Sequence, residues 1–194
     1  LEILRQPLED KVIRISRVYG TYDFPADFMV CAAMNPCPCG HYPDMNRCRC
    51  TPAQVMQYLG RISQPLLDRL DLCAEVSPVD FEGLSSGRKG ESTQTIRERV
   101  ICAQDIQRER YKIEGIQFNG ELSGAQIEKY CKMEKDARQL LKMAFQNMPF
   151  SARAYHRILK VARTIADMEA TESIHRHHIA EALSYRAFDK KYWN

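Results

Sequence analysis

Apolar residues follow two different rhythms along the chain. From about residue 91 onward they recur at three- and four-residue spacing, the period of an amphipathic helix. Ser92 is placed to cap a helix running to about Tyr111, and Ser123 one over Gly124–Cys131. A third helix is predicted over about Lys135–Asn147. Ser151 caps a fourth, with Tyr155, Ile158, Leu159, Ala162 and Ile165 as its apolar stripe, and Ser173 precedes a fifth over His177–Phe188.

The first part has shorter patterns. Leu1, Leu4 and Leu8 share a helical face, so Leu1–Glu9 reads as the end of a helix, with Pro7 an awkward member. Val12, Ile13 and Ile15 are β-branched and lead into Tyr19-Gly20-Thr21, so Lys11–Phe28 predicts a hairpin. Phe28–Met34 is an unbroken apolar run of seven residues, the pattern of a buried parallel strand, and it stops at Asn35-Pro36. Thr51-Pro52 opens a helix with good first residues. A short helix over Pro65–Leu70 and a strand over Leu72–Val76 follow. Gly83–Gly90, with Ser85, Ser86 and Gly87, marks a flexible break. A mixed α/β part thus meets an all-helical part near residues 80–90.

Composition narrows the field only a little. Of the 194 residues, 44% are hydrophobic and 27% charged, which argues against a wholly disordered chain. The longest apolar run falls far short of the roughly 20 residues of a membrane helix. No apolar segment of signal-peptide type follows the first residues. A net charge of +3 is too small by itself to argue for nucleic acid. The chain opens on Leu1 and has no G-x-x-x-x-G-K-[ST] loop, so it is expected to start mid-protein. Any function needing a phosphate-cradling loop is then incomplete here.

Eight cysteines are many for this length, and four are paired by spacing as Cys37-Pro38-Cys39 and Cys48-Arg49-Cys50. Without a secretory signal a reducing cytoplasm is expected, which favours a metal over a disulfide framework. Four thiolates make a closed tetrahedral zinc site with no open position, hence a structural one. The C-x-C spacing is tighter than the usual C-x(2–4)-C. Free thiols and a disulfide or redox pair are the alternatives, and His41 is a substitute ligand. His175, His177 and His178 form a second cluster, which reads as a solvated helix entry in preference to a metal site.

Arg69 precedes a predicted strand, and Arg153 sits in the first turn after Ser151. A guanidinium can clamp a phosphate through two parallel hydrogen bonds. Spacing alone favours plainer roles: a salt bridge from Arg69 to Asp68 or Asp71, or solvent exposure. Arg97, Arg99, Arg108, Arg110 and Lys112 alternate with Glu98, Asp105 and Glu109, which reads as a solvated face. Tyr192-Trp193 reads as terminal packing or a tail.

Several blocks together resemble a known family. They are Leu1–Asp10 with Ile15-Ser16-Arg17, Ala32–Gly40, Cys48–Pro52, Pro65–Leu72 and Ser151–Leu159. In this order they resemble the Mg-chelatase-like AAA+ ATPases, the YifB/ComM family, over essentially the whole chain. The resemblance implies an α/β plus all-α fold. Residues 1–80 would be the C-terminal part of an AAA+ P-loop NTPase core with an incomplete parallel sheet. Residues 81–90 would be a linker and 91–194 a helical lid. Family members carry Walker A and Walker B ahead of these blocks.

The same resemblance implies residue roles. Asn35 matches sensor 1, which orients the attacking water or reads the γ-phosphate. Arg69 matches the arginine finger, which reaches the ATP of a neighbouring subunit. Arg153 matches sensor 2, which closes the lid on ATP. The Lys11–Phe28 segment is similar to the pre-sensor-1 hairpin, with Arg17 where a basic pore residue would touch DNA; Arg14 and Lys11 are secondary. ATP and Mg²⁺ are the implied cofactors of the full-length protein, and Cys37, Cys39, Cys48 and Cys50 the candidate Zn²⁺ ligands. The implied protein is a cytoplasmic hexamer that couples ATP hydrolysis to DNA branch migration in recombination or natural transformation. This part alone would be inactive. The alternatives are a magnesium-chelatase motor acting on a porphyrin-chelatase partner, and a zinc-stabilised binding module without motor activity.

Overall fold

The computed structural model describes residues 1–186 apart from 78, 80, 82–84, 86, 88, 89 and 149. The Gly83–Gly90 break lies partly outside the described residues, as does the end of the predicted His177–Phe188 helix. Tyr192-Trp193 lies wholly outside them. The chain forms two compact units, one holding Leu1–Leu70 and the other beginning at Asp71.

In the first unit a 3-10 turn, Glu2–Leu4, runs into helix α1, Arg5–Asp10. Pro7 is tolerated because it sits in the first turn, where its missing N–H has no intrahelical partner to lose. Lys11 ends the helix in the left-handed region (φ 56°) and donates its N–H to the Pro7 carbonyl at 3.0 Å. Strands β1, Val12–Arg17, and β2, Gly20–Pro25, then form the expected hairpin. Its antiparallel register pairs Ile13 with Phe24, Arg14 with Asp23, Ile15 with Tyr22 and Ser16 with Thr21. One face is therefore apolar and the other polar.

Helix α2, Pro52–Leu59, begins with a reciprocal capping box between Thr51 and Gln54, and Ser63 caps the short α3, Gln64–Leu67. Leu66 and Leu67 are buried. The sequence expectation is corrected at the two strands it places after the hairpin. Phe28–Met34 and Leu72–Val76 form no strand, and Met29 and Val76 are 91% and 88% exposed. An extended segment becomes a strand only when a neighbour takes its N–H and C=O groups. Among the described residues the hairpin is the one sheet, so neither run has that neighbour.

The second unit is helical: α4, Thr93–Tyr111; α5, Gly124–Tyr130; α6, Lys135–Asn147; α7, Ala152–Met168; and α8, Arg176–Ser184. Helix α7 is central, packing on α8, α4, α5 and a 3-10 turn at Asn119–Glu121. Its buried stripe includes Ile158 together with Ala154, Ala162 and Ala166, and the small alanine side chains let the neighbours approach closely. Ile174 ties the α5–α6 and α7–α8 connections, donating to the Lys132 carbonyl at 2.8 Å and accepting from Glu134 N–H at 3.0 Å. No helix among the described residues is long and apolar enough to cross a membrane.

Polar groups hold this unit together as well. Asp167 is fully buried near the end of α7 and receives a two-pronged ion pair from Arg110 of α4. It also accepts from Asn119 Nδ2 at 2.8 Å and from Arg163 Nε at 3.1 Å. Arg163, 1% exposed, donates to the carbonyls of Thr171 and Glu172 just beyond the helix. Arg110 is thus no member of a solvated face: an acid 57 positions away claims it.

Two predictions follow from these contacts. Asp167→Ala should destabilise the protein by about 3–5 kcal/mol in a urea titration, because it strands buried guanidinium charge. Glu114 accepts from Lys129 at 2.6 Å, the Tyr130 hydroxyl at 2.6 Å and Gln126 at 3.1 Å. Lys129, then Tyr130 and Gln126, hold its carboxyl down to about 2, from an ordinary 4.5. A lowered acid favours folding above its unfolded value, and that contribution drains as pH falls from about 4.5 toward 2. Glu114→Gln should remove this acid-side loss from the melting temperature profile.

Candidate functional site

The four paired cysteines converge. Turns built on Gly40 N–H to the Cys37 carbonyl (3.0 Å) and Cys48 N–H to the Asp44 carbonyl (2.8 Å) fold the loop back on itself. Gly40 takes φ +80°, where a side chain is strained, and lies against the Asn35 side chain. Cys37 Sγ is 3.3 Å from Cys39 Sγ and 3.8 Å from Cys48 Sγ, and Cys39 Sγ is 3.6 Å from Cys48 Sγ. All four sulfurs, Cys50 included, lie within 4.8 Å of one another. A zinc–sulfur bond of about 2.3 Å gives a tetrahedron edge of about 3.8 Å, so the donor set fits that ion. His41 is exposed and stands outside this group.

All four are free thiols of unequal acidity. Backbone N–H groups of His41 and Arg49 pull Cys39 down to about 6. Burial works against Cys37, yet N–H groups of Tyr42, Cys39 and His41 leave it lowered. Burial and the neighbouring thiols push Cys50 up to about 12, and burial with Cys39 and Cys37 also raises Cys48. One wall of the loop packs on Val55 and Leu59 of α2, giving a small core that needs the loop closed.

Asn35 is exposed at the entry to this loop. Arg69 follows α3, where Nη1 donates to the Pro65 carbonyl at 2.6 Å and Nη2 pairs with Glu9 of α1. The salt bridge that spacing suggested is present, but to Glu9, sixty positions away, instead of Asp68 or Asp71. The Arg69 Nε is buried without a hydrogen-bond partner among the described residues.

The hairpin sorts its three cations. Arg14 makes a two-pronged pair with Asp23 directly across the strands, both bonds 2.8 Å. Lys11 pairs with Asp27 at 2.8 Å. Arg17, beside the exposed tip residues Val18 and Tyr19, makes no ion pair among the described residues.

In the helical unit Arg153 is the second residue of α7, exposed, with the Ser151 hydroxyl accepting from Ala154 N–H at 3.1 Å. One turn on, Arg157 pairs with Asp71. The histidine cluster differs from its expectation. The α8 cap is His175, two residues after Ser173, and His178 is fully buried instead of solvated. His178 Nδ1 accepts from the His175 N–H at 2.9 Å, so its Nε2 carries the proton donated to Glu169 at 3.0 Å. Glu169 is the carboxylate whose presence the local sequence does not announce, since it lies before the turn. That arrangement caps a helix and leaves the His178 Nε2 no free lone pair for a metal.

Comparison with known proteins bears on these sites together. Residues 1–84 match the family described as magnesium chelatase, subunit ChlI, and residues 90–186 match its C-terminal counterpart. The chain is 44% identical over 98% of its length to the uncharacterized protein YifB of Salmonella typhimurium, covering 37% of that protein. It is 44% identical over 96% of its length to competence protein ComM of Haemophilus influenzae, covering 36%. It is 41% identical to YifB of Escherichia coli, again over 98% of the chain and 37% of the relative. The chain therefore spans little more than a third of the length of these relatives. Matched along nearly all of its length, it belongs to the Mg-chelatase-like family of AAA+ ATPases.

Proposed function

We propose that the chain supplies the sensing, closing and DNA-contacting parts of an ATP-driven, ring-forming DNA motor. The observation that carries this reading is 44% identity, over 96% of the chain, to a protein named for competence. The placement of the cations supports it. Arg17 projects at the hairpin tip while its neighbours Arg14 and Lys11 are neutralised internally. A phosphate contact there is sequence-blind, as translocation requires. Arg153 stands at a helix N-terminus, where the macrodipole disfavours a cation by about 0.3–1 kcal/mol. An anion such as a nucleotide phosphate would turn that cost into a gain.

In this reading residues 1–80 belong to the motor core and 91–194 to its lid, joined by a linker at 81–90. Asn35 orients the attacking water beside the γ-phosphate. Arg69, held on α3 by Glu9, exchanges that partner for the ATP of a neighbouring subunit in a hexamer. Arg153 closes the lid, and Mg²⁺ accompanies the ATP. Cys37, Cys39, Cys48 and Cys50 hold one structural Zn²⁺ that fixes the loop against α2. The protein works in the cytoplasm, on branched or single-stranded DNA. A second reading has one specific support: both matched family descriptions are of a magnesium chelatase subunit. It would make the chain part of a motor that serves a porphyrin-chelatase partner.

ATP hydrolysis by the full-length protein, with and without branched DNA, decides between them. Stimulation by DNA is expected; stimulation by a chelatase partner alone would install the second reading. Arg69→Ala should cut hydrolysis by about a thousandfold or more, with helical content unchanged. Retained hydrolysis in that variant would remove the finger assignment, and no hydrolysis by the unaltered protein would leave only a binding module. Metal analysis of reduced, purified protein should find about one zinc per chain, and its removal by a chelator should lower the melting temperature.

A further inference from the structure

Beside the cysteine loop lies a shallow, open cleft of about 340 Å³. Its walls include Cys39, Arg49 and Cys50 from the loop, Gln54, Gln57 and Tyr58 from α2, and Arg61 just after it. No carboxylate lines it. Among the described residues neither Arg49 nor Arg61 has an ion-pair partner. Arg61 lies over the Tyr58 ring, its guanidinium carbon 5.9 Å from the centroid. Donors that cannot accept, amides that can do both, and an arginine–tyrosine stack are the groups that hold an unpaired nucleotide.

We propose that this cleft binds single-stranded nucleic acid, with Arg49 and Arg61 on successive phosphates and an unstacked base against the Arg61–Tyr58 pair. The inference rests on the DNA-motor reading and adds to it a second contact, apart from the hairpin. The arginines have one competing duty. Four thiolates around a divalent ion would leave two negative charges, and a guanidinium could balance them. The sulfurs are already served by backbone N–H groups of Tyr42, Cys39, His41, Arg49 and Cys50. Among the described residues the sulfurs contact one another and neither guanidinium bonds to a sulfur, so Arg49 and Arg61 remain available to a ligand.

The test is fluorescence anisotropy of a labelled oligothymidylate, long enough to fill a site of about 4–16 nucleotides, bound to the full-length protein at several salt concentrations. Arg49→Gln with Arg61→Gln should weaken binding about tenfold. It should also reduce the slope of log affinity against log salt by about 1.4, or about 0.7 for each phosphate lost. Tyr58→Leu should weaken binding about fivefold or more, and Tyr58→Phe should restore it, because stacking needs the ring and not the hydroxyl. Unchanged affinity and slope in these variants would overturn the proposal. So would loss of zinc from the arginine double variant with Tyr58→Leu binding normally, since the arginines would then be counter-ions of the metal centre. If the double variant does not fold, the Tyr58 pair decides alone. The motor reading fails separately: oligonucleotide binding through the cleft without DNA-stimulated hydrolysis sinks the motor and keeps the site. DNA-stimulated hydrolysis with normal binding by the cleft variants does the reverse.

Discussion

The helical unit hangs on one buried carboxylate. Asp167 sits where water cannot reach it, so its charge must be answered by protein groups or not exist at all. Arg110 answers from α4, Asn119 from the 3-10 turn and Arg163 from its own helix. Arg163 then passes its remaining donors to the carbonyls beyond the helix end. Three segments are fixed relative to one another by one side chain, and a fourth through Arg163, so a mutual slip would strand a charge. Hydrophobic contacts along α7 are non-directional and by themselves specify register less sharply than a buried charge does. The polar knot specifies where the apolar surfaces lock. It also fixes the far end of α7, about 21 Å away at 1.5 Å per residue, where Arg153 is presented.

What could be read from the sequence, and what could not, follows from the range of the interaction. Ser92, Thr51 and Ser151 announce their helices because a cap is completed within three residues. The hairpin is legible for the same reason, its turn being two residues long. Phe28–Met34 has the composition of a strand, but a strand is finished by a neighbour that composition does not supply. Arg110 and Arg69 look like surface charges by spacing, because their acids, Asp167 and Glu9, are 57 and 60 positions distant. His178 looks solvated because its cap partner is local, while its carboxylate lies across a turn. The cysteine quartet is legible since thiols at close spacing have few other uses. The cleft beside it is not, because Arg49, Tyr58 and Arg61 meet only once α2 packs on the loop.

The net charge of +3 conceals how the positive charge is deployed. In the first unit Lys11, Arg14 and Arg69 each face a carboxylate, and those charges cancel within the fold. Arg17, Arg49 and Arg61 do not, among the described residues. An exposed, unpaired guanidinium gains little from a fold and is costly to keep in one geometry, so its placement is governed by what it meets outside. Arg17 is set at a hairpin tip beside Tyr19, and Arg61 over Tyr58. At Arg61 the cation lies over an aromatic ring, the combination that holds a phosphate and a base together. A broad basic face would attract any polyanion equally and release it slowly. A few separate cations make contacts that are weak one by one and can be broken in turn, which the proposed passage of a strand would require.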